Sequence, residues 1–191
     1  MIYYLGGFFP DNIQDSIIAE SKGNIQFAAD ALQKSILRGL FASNVDVSVI
    51  NALYIGSYPV RYNKIKIAES DVILDGKKIG SNVSFCNLTI LKNISRYKSV
   101  SNYISKKINK KEHNIIIVYA MHLPFLMALR KLKEKYKEAL TICLIVPDLP
   151  EFMNESNSIF HKLNTLLVYK NLFIVDKYIV LTKYMLSLIH I

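Results

Sequence analysis

Three short stretches carry residue types that chemistry can use, and each follows an apolar run of strand character. In Val146-Pro147-Asp148-Leu149-Pro150-Glu151-Phe152-Met153, two prolines stiffen the chain around Asp148. A carboxylate held there can take the proton of an acceptor hydroxyl as a general base, or fix that hydroxyl by a hydrogen bond. It can equally cap the backbone of its own loop. In Ala120-Met121-His122-Leu123-Pro124, His122 stands at a strand's end and a helix's start. An imidazole there can hydrogen-bond a sugar or a phosphate, and a structural histidine is the alternative. In Gly6-Gly7-Phe8-Phe9-Pro10, the glycine pair allows the backbone close to a ligand, or simply makes a tight turn. The glycines lack the G-x-G-x-x-G spacing of a dinucleotide site, and no Gly-Lys-Ser/Thr follows to make a P-loop. The chain also has no Cys/His cluster at metal-ligand spacing, no G-x-S-x-G elbow and no Asp-x-Asp run. Hydrolase and metalloenzyme readings therefore have no support.

The elements that must position these loops alternate between strand and helix patterns, which argues for a parallel sheet with helices on both faces. Ile2-Tyr3-Tyr4-Leu5 is a first strand, followed by a long loop from Gly6 to Gly23. Asn24 is the expected N-cap of a helix over 25–41, with Phe27, Ala28, Ala31, Leu32, Ile36, Leu37 and Leu40 on its packing face. A strand over 45–50 comes next. The middle reads as short strands at 65–67, 72–74 and 83–88, with Asp75-Gly76 as a turn signal. A helix over 95–108 leads to the clearest unit. There a fully apolar strand over 114–119 feeds a helix over 123–140 with Pro124 in its first turn, and a second apolar strand follows over 141–146. A helix over 159–172 and a strand between Phe173 and Leu181 complete the pattern. The expected fold is a Rossmann-like, doubly wound α/β domain with a mainly parallel sheet. Ligands of such sheets bind beyond the carboxyl ends of the strands, where all three loops fall.

A length of 191 residues suits one domain with a continuous core. The formal net charge of +9 favours an anionic partner, whether nucleic acid, anionic lipid or a phosphorylated ligand. The lysines are interspersed with acids, as in Arg130-Lys131-Leu132-Lys133-Glu134-Lys135, so they read as a solvated helix face, and no nucleic-acid partner is expected. Cys86 and Cys143 each lie in an apolar run, as buried thiols of a reducing compartment do. No basic n-region precedes the opening apolar residues, so no secretory signal is expected. The apolar stretch 165–181 is broken by Lys170, Asp176 and Lys177, which argues against a spanning helix and for a cytoplasmic protein.

Several pieces in order carry a family likeness: Gly6-Gly7 with the helix from Ile25, Ile50-Asn51-Ala52 running to Gly56-Ser57-Tyr58-Pro59, Phe85-Cys86-Asn87-Leu88 before a Lys/Arg-bearing helix, the Asp148 loop, and 175–182. With these the chain resembles the N-terminal domain of GT-B glycosyltransferases of family 4, especially bacterial enzymes that build capsular polysaccharide, exopolysaccharide or lipopolysaccharide. The resemblance implies a retaining transferase of two Rossmann-like halves across a cleft, with no metal and no cofactor. It implies that the nucleotide sugar is gripped by a C-terminal half, absent from this sequence, through a Glu-x7-Glu element and a basic residue at the diphosphate. The N-terminal half would hold a glycan or lipid-linked acceptor. Carried over, Gly6, Gly7, His122 and Asp148 face that acceptor and Asp148 is the catalytic candidate. The chain departs from the family where many relatives carry a histidine and it has Pro147, so the roles of His122 and Asp148 stay open.

The helix from about Phe160 to Leu172, with His161, Lys162 and Lys170, fits peripheral contact with an anionic inner membrane, or else an ordinary core-facing helix. A competing reading is a non-catalytic Rossmann-like module that binds a small ligand or a partner protein. A nicotinamide-linked enzyme is disfavoured, because Asn51 stands where an acidic ribose ligand would be needed. Leu186-Ser187-Leu188-Ile189-His190-Ile191 is what a sequencing-library transposon end encodes in this frame. The expectation is therefore a domain over 1–185, a non-native tail over 186–191, and a natural protein that continues past Met185.

Overall fold

Strands buried on both faces are apolar at every position rather than at alternate ones. Two runs close to that kind, Asn114–Tyr119 and Leu140–Val146, apolar but for Asn114 and Thr141, lie side by side in the sheet in a computed structural model of the chain. The structure describes residues 1–149, 159–182 and 185. Its strands are β1 (Ile2–Gly6), β2 (Val47–Asn51), β3 (Lys66–Ile67), β4 (Ser70–Leu74), β5 (Lys77–Asn82), β6 (Phe85–Cys86), β7 (Asn114–Tyr119), β8 (Leu140–Val146) and β9 (Lys177–Val180). The helices are α1 (Gln14–Glu20), α2 (Phe27–Ala42), α3 (Leu91–Lys107), α4 (Leu123–Tyr136) and α5 (Ile159–Lys170).

The main sheet has the order β4-β5-β2-β1-β7-β8-β9, and β3 and β6 form a separate antiparallel ribbon. Every pairing in the main sheet is parallel except the β4–β5 hairpin. Alternate residues of β1 enter different cores, as the strand period requires. Tyr3 and Leu5 join the cluster made with α3 and α4, whereas Tyr4 packs with Leu37 of α2 on the opposite face. The protein is thus a Rossmann-like α/β fold with helices on both faces of a mainly parallel sheet. Since the chain goes from β1 to β2 on one side and later returns through α3 to β7 on the other, the strand order reverses at β1, and a crevice opens beyond its carboxyl end.

Several elements differ from their expected form. The long loop after β1 contains α1, which buries Ile17. Helix α2 begins at Phe27 with Gln26 at its cap, and no side chain caps it, so Asn24 does not serve. Of its expected packing face, Leu37 is buried and Leu32, Ile36 and Leu40 pack against the same core, whereas Phe27, Ala28 and Ala31 are exposed and Asp30, Gln33 and Lys34 are buried beside them. Strand β5 was not apparent from its residues: Lys77 and Lys78 are exposed, and Gly80 pairs with Val49 where a Cβ would run into the Val49 carbonyl. Asp75 and Gly76, both at positive φ, turn the hairpin. Helix α3 starts at Leu91, one turn earlier than its apolar spacing indicates. The run Phe173-Ile174-Val175 lies around a 3-10 turn (Leu172–Ile174), and the last strand is β9. Cys86 and Cys143 are both free thiols. Among the described residues no helix is long and apolar enough to cross a membrane. The side chains of Phe160 and His161 and the proposed tail over 186–191 lie outside the described residues.

Candidate functional site

Loops that leave the carboxyl ends of β1, β2, β7 and β8 enclose a cleft of about 980 Å3. Its floor is the segment after β1, and the backbone N–H groups there are held by side chains from neighbouring elements. Gly7 donates to Gln33 Oε1 at 2.9 Å, Phe8 to Asn51 Oδ1 at 3.0 Å and Phe9 to Asp30 Oδ1 at 2.7 Å. Asn51 Nδ2 donates in turn to the Phe8 carbonyl (2.8 Å) and to Asn82 Oδ1 (2.6 Å). Asn51 and Asn82 are fully buried, and a buried amide left without partners costs about 1–3 kcal/mol, so this lattice fixes where the floor lies. Lys34 braces it from below, with Asp11 at 3.3 Å, Asp30 at 3.4 Å and Gln14 Oε1 at 2.6 Å.

Gly6 and Gly7 belong to this floor but do not line the cleft. A Cβ on Gly6 would meet Gln33 Oε1, and one on Gly7 would meet the Tyr54 ring. The expected close approach to a ligand is thus an approach to the protein's own side chains, while Phe9 supplies the cleft surface.

His122 does line the cleft. After β7 the chain reverses through Ala120 at φ 66, whose N–H donates to the Ile145 carbonyl at 2.9 Å, and His122 then takes the N-cap position of α4. Its imidazole does not cap the helix. The ring packs edge-on against Phe125 (centroids 4.6 Å) and Tyr54 (5.2 Å), and Nδ1 is enclosed without a partner among the described residues. Burial, then the charges of Arg96 and Lys92, hold its pKa well below the ordinary histidine range, so the ring is neutral at pH 7. Tyr54, half-buried, donates to the Tyr119 carbonyl at 2.9 Å and clamps the two strand-end loops together.

Asp148 lines the same cleft from the end of β8, with its side chain exposed to solvent. Burial and the nearby Asp148 charge push the Tyr119 phenol up to about 12, which places carboxylate and phenol in one neighbourhood. The structure therefore brings His122 and Asp148 to a common space. The remainder of that loop, 150–158, lies outside the described residues.

The opposite wall holds residues that sequence reasoning missed. Lys92 and Arg96 project from the first turns of α3 and are only 8% and 3% exposed. Lys92 Nζ donates to the Ile55 carbonyl and reaches Ser57 Oγ at 3.4 Å; Arg96 Nη2 donates to the Leu53 carbonyl. Burial, with Arg96 and Arg61 adding like charge, pulls the Lys92 ammonium down to about 7, and burial pulls Arg96 down to about 10. One signal was present: Lys92, Arg96, Val100 and Ile104 form a stripe at four-residue spacing, and its last two members are core residues.

The cleft can hold a polyhydroxylated ligand between hydroxyl and amide groups, with a carboxylate and a neutral imidazole on one side and cations on the other. Among the described residues no cluster of three or more His, Cys, Asp or Glu is placed to hold a metal. No protein-family model matches the chain, and no curated protein does either.

Proposed function

We propose that this chain is the acceptor-side domain of a glycosyltransferase that moves a sugar from a nucleotide sugar to a lipid-linked or polysaccharide acceptor. The observation that carries this reading is a cleft at the carboxyl ends of the parallel strands that His122 and Asp148 enter from separate loops. Asp148 would hold the acceptor hydroxyl, and accept its proton if it acts as base. The neutral His122 ring would orient the acceptor, stiffened by Phe125 and Tyr54. The likeness of the Asp148 loop and of 175–182 to family 4 GT-B enzymes supports the same reading, with the donor bound by a second half. Peripheral contact with an anionic membrane would bring the domain to its acceptor.

The test is recovery of the genomic reading frame past Met185, followed by assay of the encoded protein for transfer of labelled sugar to lipid-linked acceptors. A second Rossmann-like half with paired glutamates, and transfer of label, is the expected result. A stop codon directly after a genuinely encoded Ile191 would sink the transferase and leave a ligand-binding module.

A further inference from the structure

Lysine and arginine are almost never fully buried unless a carboxylate or another anion meets them. Lys92 and Arg96 are both more than nine-tenths buried, and among the described residues neither forms an ion pair with any acid. Asp148 shares the cleft but pairs with neither. The two cations stand four apart on one helix, where like charges repel, and Lys92 occupies the first turn, the end at which the helix dipole disfavours a cation. Arg61 adds a third positive side chain to the same wall.

Their protein partners are neutral: backbone carbonyls of Leu53 and Ile55, and the Ser57 hydroxyl. Arg96 Nε has no partner at all among the described residues, and its guanidinium lies over the Phe85 ring, 4.4 Å from the centroid. The ring fixes the plane of the fork and leaves an N–H unspent. The wall they form faces a cleft open to solvent. The geometry points to an anion subsite in which Lys92 and Arg96, with Arg61 at the rim, grip a phosphate or diphosphate group of the ligand. Phosphate suits the site because a guanidinium fork meets two of its oxygens at once, while the ammonium supplies a point charge. The subsite stands on these residues alone. Only the identity of its natural occupant, a nucleotide diphosphate or a lipid-linked diphosphate, rests on the transferase reading.

Thermal unfolding of the full chain, in inorganic phosphate or pyrophosphate and in chloride of equal ionic strength, tests the subsite. The wild type is expected to gain stability with pyrophosphate beyond the chloride control. Lys92→Met and Arg96→Met are expected to weaken that binding by at least about tenfold, a loss of about 1.4 kcal/mol each. Lys92→Met should be as stable as the wild type or more so without anion, because an unpaired buried charge has gone. Should either variant fail to fold, the Arg side-chain Nε–H resonances of the wild type give the answer, since one of them must move on adding pyrophosphate. No wild-type response, or an equal response in both variants, overturns the proposal. Glu151 and Glu155 supply the remaining control. A Glu151→Gln/Glu155→Gln variant that binds pyrophosphate while the wild type does not would show that the chain neutralises its own cations and would also overturn it. Uridine diphosphate and geranyl diphosphate then present the same group on different bodies, and tighter binding of either than of pyrophosphate supports the subsite and identifies the source. Pyrophosphate binding without sugar transfer by the completed protein would retain the subsite and remove the transferase.

Discussion

Asp148 and Lys92 occupy one cleft under opposite conditions. Asp148 is exposed and has no hydrogen bond among the described residues. On the proposed transferase reading, Asp148→Asn in the completed protein should lower kcat about a hundredfold or more if the carboxylate acts as general base, while the unfolding midpoint of the domain stays put. Kinetics beside thermal unfolding checks both halves. Lys92 is buried, and its effect appears in stability. Burial, then the like charge of Arg96 and Arg61, draws it from 10.5 in the unfolded chain to about 7 in the fold. Between those limits the unfolded chain binds more protons, so stability should rise with pH across the window, and below pH 7 the cost of the buried charge is present in full. Urea unfolding of wild type and Lys92→Met at several pH values isolates this slope, which the variant should lack.

Among the elements, β7, β8 and α4 could be read directly because burial on both faces leaves an apolar run nothing to alternate with, and Pro124 marks the helix start. Strand β5 could not, because its one strategic residue is a glycine. Propensity counts Gly80 against a strand, yet only a residue without a Cβ lets that backbone lie against Val49. Gly80→Ala should therefore cost about 2 kcal/mol or more, read from denaturant unfolding, since the atom in the way is backbone and cannot swing aside. Helix α2 was legible only in part. Leu32, Ile36, Leu37 and Leu40 pack inward as their spacing indicates, but Phe27, Ala28 and Ala31 face outward, while Asp30, Gln33 and Lys34 turn inward to serve the cleft floor. Apolar periodicity registers burial by hydrophobic packing and is blind to burial by hydrogen bonding. The cation pair on α3 was hidden by the same limit, while the His122 and Asp148 loops were legible because their position at strand ends follows from chain order alone.

At the scale of the whole molecule, the sheet grades from a protected centre to open edges. Strand β1 has partners on both sides and β4 and β9 have one each. Hydrogen exchange should find the amides of β1 and β7 slowest and those of β4 and β9 faster, and equal protection across the sheet would contradict this order. The central place of β1 also bears on how the protein is made. Ile2 pairs with Val47 on one side but with Ile115 on the other. A chain leaving the ribosome can therefore finish one seam early, while the far side of its first strand stays open until more than a hundred further residues have been synthesised, a span during which an apolar edge invites pairing with other nascent chains.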